Sequence, residues 1–161
     1  MEFHKDKTKV LFICLGNICR SPSAEAVFKK YVLDAGLGED FEIDSAGMIA
    51  NHKGNPADAR MRMHAAKRGI VLESISRPFD AEVDFDRFDY IIGMDGSNLA
   101  DLRSRARKKE DLEKIHKMTD FGVVYDYDTV PDPYYGGEEG FELVLDILDD
   151  TCKGLLDHLK K

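Results

Sequence analysis

Residues 10 to 28, VLFICLGNICRSPSAEAVF, run from an unbroken apolar stretch through a short loop into a helix-forming segment. VLFI at 10–13 has the pattern of a strand buried on both faces, which requires packed layers on either side of it. Ser21 is placed to cap a helix with Pro22 at its first position. Ala24, Val27, Phe28, Tyr31 and Val32 then recur at helical spacing, and Gly36 and Gly38 end the segment.

The same alternation continues downstream. FEIDSAG at 41–47 reads as a second strand, and Asn55 and Pro56 open a helix that Gly69 closes. YIIGM at 90–94 is a third buried strand, followed by the cap-like DGSN and a helix carrying Leu99 and Leu102. IHKMTDF at 115–121 is a weaker fourth strand. Phe141, Val144, Leu145, Leu148, Cys152, Leu155, Leu156 and Leu159 then form one continuous apolar stripe on a last helix. Strands alternating with helices imply an α/β fold, a parallel sheet with helices on both faces. At 161 residues, the whole chain from 1 to 161 fits one domain large enough for a real core.

Composition narrows the setting. The longest apolar run is too short to span a bilayer, and MEFHKDKTK lacks the apolar centre of a signal peptide. Three cysteines, two of them in one loop, suit a reducing compartment better than a disulfide framework, so a soluble, cytoplasmic protein is expected. A net charge of −8 argues against nucleic acid or an anionic membrane as partner. Any anion site must therefore be made by a local field.

The loop from Cys14 to Arg20 is suited to make one. In open parallel sheets, ligands sit beyond the carboxyl ends of the strands, and this loop leaves such an end to enter a helix N-terminus. Gly16 lets the backbone turn closely, and Asn17 tolerates left-handed geometry. Curled together, Leu15, Gly16, Asn17, Ile18 and Cys19 would present a nest of N–H donors to an anion. Arg20 adds a planar fork for two phosphate oxygens. Inward N–H groups, the helix N-terminus and the Ser21 hydroxyl favour a thiolate at Cys14, a nucleophile directly below a bound phosphate.

Cys, five residues, Arg, Ser between a strand and a helix resembles the low-molecular-weight protein tyrosine phosphatase family. CLGNICRSPSAE is similar to that family's N-terminal signature almost residue for residue, and VPDPYYGG at 130–137 resembles its general-acid loop. DSAG, GNPAD and MDGSNL match at similar separations, so the resemblance covers nearly the whole chain. It implies a doubly wound fold with a central four-stranded parallel sheet, and a mechanism using no metal and no cofactor. It further implies that Cys14 forms a phosphocysteine, that Arg20 and the loop amides hold the equatorial oxygens, and that Asp132 is general acid and then base. Asn17 would hold the loop, Ser21 would tune the thiolate, and Tyr134 would flank the substrate ring. The implied partners are phosphotyrosine proteins or small aryl phosphates, with inorganic phosphate as product and inhibitor. Cys19 is a candidate redox partner of Cys14, forming a reversible disulfide under peroxide.

Other readings are weaker. Cys152 on the apolar stripe reads as core, His64 follows no metal-ligand pattern, and Tyr135 reads as packing. An arsenate reductase on this scaffold relays electrons through two further cysteines, yet residues 20–151 contain none. Phosphoarginine phosphatases of the family carry threonine where this chain has Ile18, an apolar wall that suits a phenyl ring. A non-catalytic phosphate-binding module would be expected to lose Cys14, Arg20 or Asp132, and all three are present. One departure stands out: the loop after SAG has Asn51 near the position of an expected aromatic wall, leaving Met48, Ile49 or His52 to replace it, or a more open cleft.

Overall fold

The computed structural model describes residues 6–133 and 137–160. Strand β1 spans Thr8–Cys14, helix α1 Arg20–Asp34 and strand β2 Phe41–Gly47. Helices α2 (Ala59–Ala66) and α3 (Ala81–Arg87) lead to β3 (Tyr90–Gly93). Then come α4 (Gly96–Arg105), α5 (Lys109–Glu113), β4 (Ile115–Lys117) and α6 (Glu138–Leu159). All strand pairings in the sheet are parallel, and the order is β2-β1-β3-β4. This is the expected single-domain α/β architecture.

The two-residue period of β1 divides the core. Val10, Phe12 and Cys14 pack on one face with Phe28 of α1 and Val144 and Leu148 of α6. Leu11 and Ile13 pack on the other with Phe85 of α3 and Leu99 and Leu102 of α4. Full burial of each large apolar side chain contributes ~1.5–3 kcal/mol, so residues 10–13, all inaccessible, anchor both layers. The α6 stripe is buried from Phe141 through Leu156, with Cys152 inside it as a core residue.

Because the chain adds β2 on one side of β1 and β3 on the other, the crevice between them opens at their carboxyl ends. Cys14 is the last residue of β1 and pairs in register with Gly47, the last of β2. The phosphate-loop candidate therefore starts at the switch point of the sheet.

Several boundaries differ from the sequence reading. Cys19, not Ser21, is the N-cap of α1, and Ser21 lies inside the first turn, where its hydroxyl is free to face Cys14. Helix α2 begins after Asp58, whose carboxylate accepts the N–H groups of Arg60 and Met61, because Pro56 is held in an isolated bridge to Ile75. The segment 115–121 is a strand only to Lys117 and then a 3-10 turn over Met118–Phe121. The short helices α3 and α5 carry too few apolar positions to show a period.

Candidate active site

The loop after β1 is tied down on several sides. Met48 and Ile49 donate their N–H groups to the carbonyls of Cys14 and Leu15 at 3.0 Å, and Asp58 N–H donates to Ile18 O at 2.8 Å. Ser76 Oγ donates to Gly16 O at 3.0 Å. Gly47 permits this closeness, since a Cβ there would sit 2.9 Å from Leu15 O. Gly16 keeps negative φ, and what crowds out a side chain is the His52 ring, 3.0 Å from a Cβ built there. Asn17 takes the left-handed conformation at φ 58°, as its residue type allows.

Beneath the loop runs a chain of hydrogen bonds that starts at the Glu25 carboxylate. Ser45 Oγ donates to the Glu25 carboxylate at 2.6 Å, so it accepts from Asn17 Nδ2 at 2.9 Å. The same amide donates to Ser21 Oγ at 2.8 Å, and Arg77 N–H donates to Asn17 Oδ1 at 3.0 Å. Ser21 Oγ also lies 3.1 Å from Cys14 Sγ, a contact in which it donates when the sulfur is a thiolate. The Asn17 N–H also points at the sulfur, at 3.3 Å. Ser21 Oγ and the Asn17 N–H thus converge on a buried Cys14 at the N-terminal end of α1.

Arg20 is buried beside it. Its Nη1 donates to Asp95 Oδ2 at 2.6 Å and to Val130 O at 3.1 Å, and its Nη2 lies 3.7 Å from Asp132 Oδ2. Burial opposes its charge, yet Cys14, Asp95 and Asp132 together hold its pKa above the ordinary guanidinium value. Asp95 caps α4 in a reciprocal capping box with Asn98, so α4 fixes the carboxylate that aims Arg20.

Cys14, Leu15, Gly16, Ile18, Cys19, Arg20 and Asp132 line one cavity of about 310 Å³, together with Ile49, Asn51 and His52. Asn17 and Ser21 support it from below. Ile49, Asn51 and His52 form the wall where an aromatic residue was expected, whereas Met48 is buried in the core. Cys19 is also buried, and burial, with Asp58 and Cys14 adding to it, pushes its thiol pKa well above the ordinary range. Tyr134 lies outside the described residues. Sequence reasoning assigned no role to Glu25, Ser45, Ser76 or Asp95. CLGNICRSPSAE, DSAG and MDGSNL, as matched motifs, contain Glu25, Ser45 and Asp95, and Ser76 lies in none of them.

The family model for the low molecular weight phosphotyrosine protein phosphatase matches residues 9–161. The chain belongs to this family. It is 42% identical to a Streptomyces coelicolor low molecular weight protein-tyrosine-phosphatase, over 95% of this chain and 94% of that one. The structure is similar to that of a protein tyrosine phosphatase from Entamoeba histolytica, with a TM-score of 0.93 and 48% identity over 96% and 97% of the two chains. A Drosophila arginine phosphatase shares the fold with a TM-score of 0.88 and 33% identity, over 96% and 99%. No helix among the described residues is long and apolar enough to cross a membrane.

Proposed function

We propose that this phosphatase hydrolyses phosphotyrosine monoesters through a phosphocysteine intermediate. The observation that carries the reading is the convergence of Ser21 Oγ and the Asn17 N–H on Cys14 Sγ, at the floor of a cavity that Arg20 and Asp132 also line. Cys14 sulfur attacks phosphorus as the bond to the phenol oxygen breaks. Arg20 and the loop N–H groups hold the equatorial oxygens as charge redistributes. Asp132 gives its proton to the departing phenolate. It then takes a proton from water, which attacks phosphorus, breaks the S–P bond and releases inorganic phosphate with the Cys14 thiolate. Arg20 and the amides handle the charge, so the steps need no metal.

Phosphotyrosine is favoured over phosphoarginine by Ile18, an apolar wall of the cavity, and by the greater identity to the Entamoeba tyrosine phosphatase than to the arginine phosphatase. Reducing surroundings such as the cytoplasm suit three free, buried thiols. Peroxide would convert the Cys14 thiolate to a sulfenic acid, and the Cys19 thiol would condense with it, releasing water and forming a disulfide that dithiols reverse.

Turnover of a phosphotyrosine peptide, a phosphoarginine peptide and an aryl phosphate by wild type and Cys14→Ser tests the reading. Wild type is expected to favour the phosphotyrosine and aryl substrates, and Cys14→Ser to be inactive while folded. Retained hydrolysis in Cys14→Ser removes Cys14 from the nucleophile role, and preference for phosphoarginine overturns the substrate class.

A further inference from the structure

Asp150 lies on α6, and both oxygens of its buried carboxylate point at the backbone of a distant segment. It accepts the N–H groups of Val123, Val124 and Tyr125 at 3.0 to 3.1 Å. Three successive donors closing on one carboxylate make an anion nest whose anion is internal. The backbone approaches α6 so closely that a Cβ on Gly154 would stand 1.8 Å from Phe121 O, and one on Gly122 would stand 3.1 Å from Asp150 Oδ2.

The side chains of this segment do not hold it. Val123 is 82% and Val124 77% exposed, and residues 123–128 all face solvent. Apolar burial therefore contributes little at 123–128, and the Asp150 carboxylate fastens residues 123–125 to α6 just beyond Phe121, which packs against the core. Further on, Thr119 Oγ1 donates to Asp128 O at 2.8 Å, and Lys117 Nζ lies 2.8 Å from Asp128 Oδ1. The chain then enters the core, where Val130 N–H donates to Met94 O at 2.9 Å and Val130 O accepts from Arg20. Two residues later comes Asp132. The segment from 122 to 132 is thus tied at three places: to α6 at residues 123–125, to Thr119 and Lys117 at Asp128, and to Met94 and Arg20 at Val130.

We propose that Asp150 is a positioning residue for catalysis, a latch on α6 that fixes the upstream end of the loop carrying Asp132. This rests on the reading of Asp132 as the proton donor to the leaving group. Without the latch, Asp132 remains on the chain but spends less time within reach of the leaving oxygen. The phosphate loop, held by β1, β2 and α1, is untouched.

The test is kcat/KM for aryl phosphates whose phenols range from acidic to weakly acidic, in wild type, Asp150→Asn, Asp132→Ala and the double variant. Asp150→Asn is expected to lose about tenfold or more on the weakly acidic phenols and less than about threefold on the most acidic. It should add nothing in the Asp132→Ala background, as for two residues acting through one step. A uniform loss, no loss, or a loss that multiplies with that of Asp132→Ala overturns the proposal. Unchanged leaving-group dependence in Asp132→Ala alone defeats the acid assignment itself, and the latch with it. Should Asp150→Asn fail to fold, Val124→Pro deletes one of the three donors at an exposed side chain. A smaller loss with the same leaving-group selectivity is expected there, and a wild-type profile contradicts the proposal.

Discussion

Arg20 Nη1 lies 2.6 Å from Asp95 Oδ2, which ties the first residue of α1 to the N-cap of α4. The other oxygen of Asp95 accepts the N–H of Asn98 at 2.8 Å. One carboxylate therefore aims the phosphate fork and caps a helix, and the two tasks are separable by substitution.

Asp95→Asn keeps a cap-competent oxygen but removes the charge opposite Arg20. Its kcat/KM should fall by about tenfold or more with phosphate affinity reduced, since loss of the charged partner lets the fork drift. Asp95→Ala should lose the same activity and a further ~1 kcal/mol of stability, the worth of an N-cap. Urea unfolding and steady-state kinetics on the pair check this. Equal stabilities would contradict the capping role, and wild-type kinetics in both would contradict the aiming role.

Arg20→Lys should be reduced by roughly 10²-fold or more in kcat/KM, because an ammonium is a point charge and cannot hold two oxygens in one plane. The folded state should persist, with weaker binding of inorganic phosphate. Activity within a fewfold of wild type would contradict the cradle.

The two loop cysteines should differ sharply toward an alkylating reagent. Burial raises the Cys19 pKa well above the ordinary thiol range, so Cys19 stays protonated at neutral pH. Peptide mapping after limited iodoacetate treatment should find label on Cys14 and little on Cys19, with phosphate protecting Cys14. Comparable labelling of both would contradict the assignment of distinct roles.

Stability should fall on the acid side. Burial alone would raise the Asp150 carboxyl, but the three N–H groups of 123–125 outweigh it and hold its pKa below the usual carboxylate value. The Arg107 guanidinium does the same to Asp111. A depressed folded pKa gives stability that is fully present above the unfolded value of about 4 and is lost as pH falls through the lower folded value. Urea midpoints should therefore be level with respect to these groups from about pH 5 upward and decline below about pH 4. Asp111→Asn should flatten that decline, and an unchanged acid slope would contradict the assignment.

How much of this was legible in the sequence follows from what each contact is made of. VLFI and the α6 stripe announce themselves because burial on two faces, or on one helical face, leaves an apolar pattern. The phosphate loop was legible because glycine, asparagine, arginine and cysteine each have a distinct chemistry at that position. The support beneath it was not, since Glu25 looks like an ordinary helix-surface acid and Ser45 like a strand residue until β2 brings Ser45 under Asn17. Asp150 was hidden more deeply still. It sits among other acids on α6, and its partners are backbone N–H groups, which every residue but proline carries.

The central claim is that the phosphoryl group passes through Cys14. Rapid-quench mass spectrometry of the enzyme mixed with an aryl phosphate tests it most directly. The account predicts one phosphoryl group on the peptide containing Cys14, formed within the first turnover and absent when phosphate product alone is added at low concentration. A phosphoryl group on any other residue, or full turnover with Cys14 never modified, would contradict it.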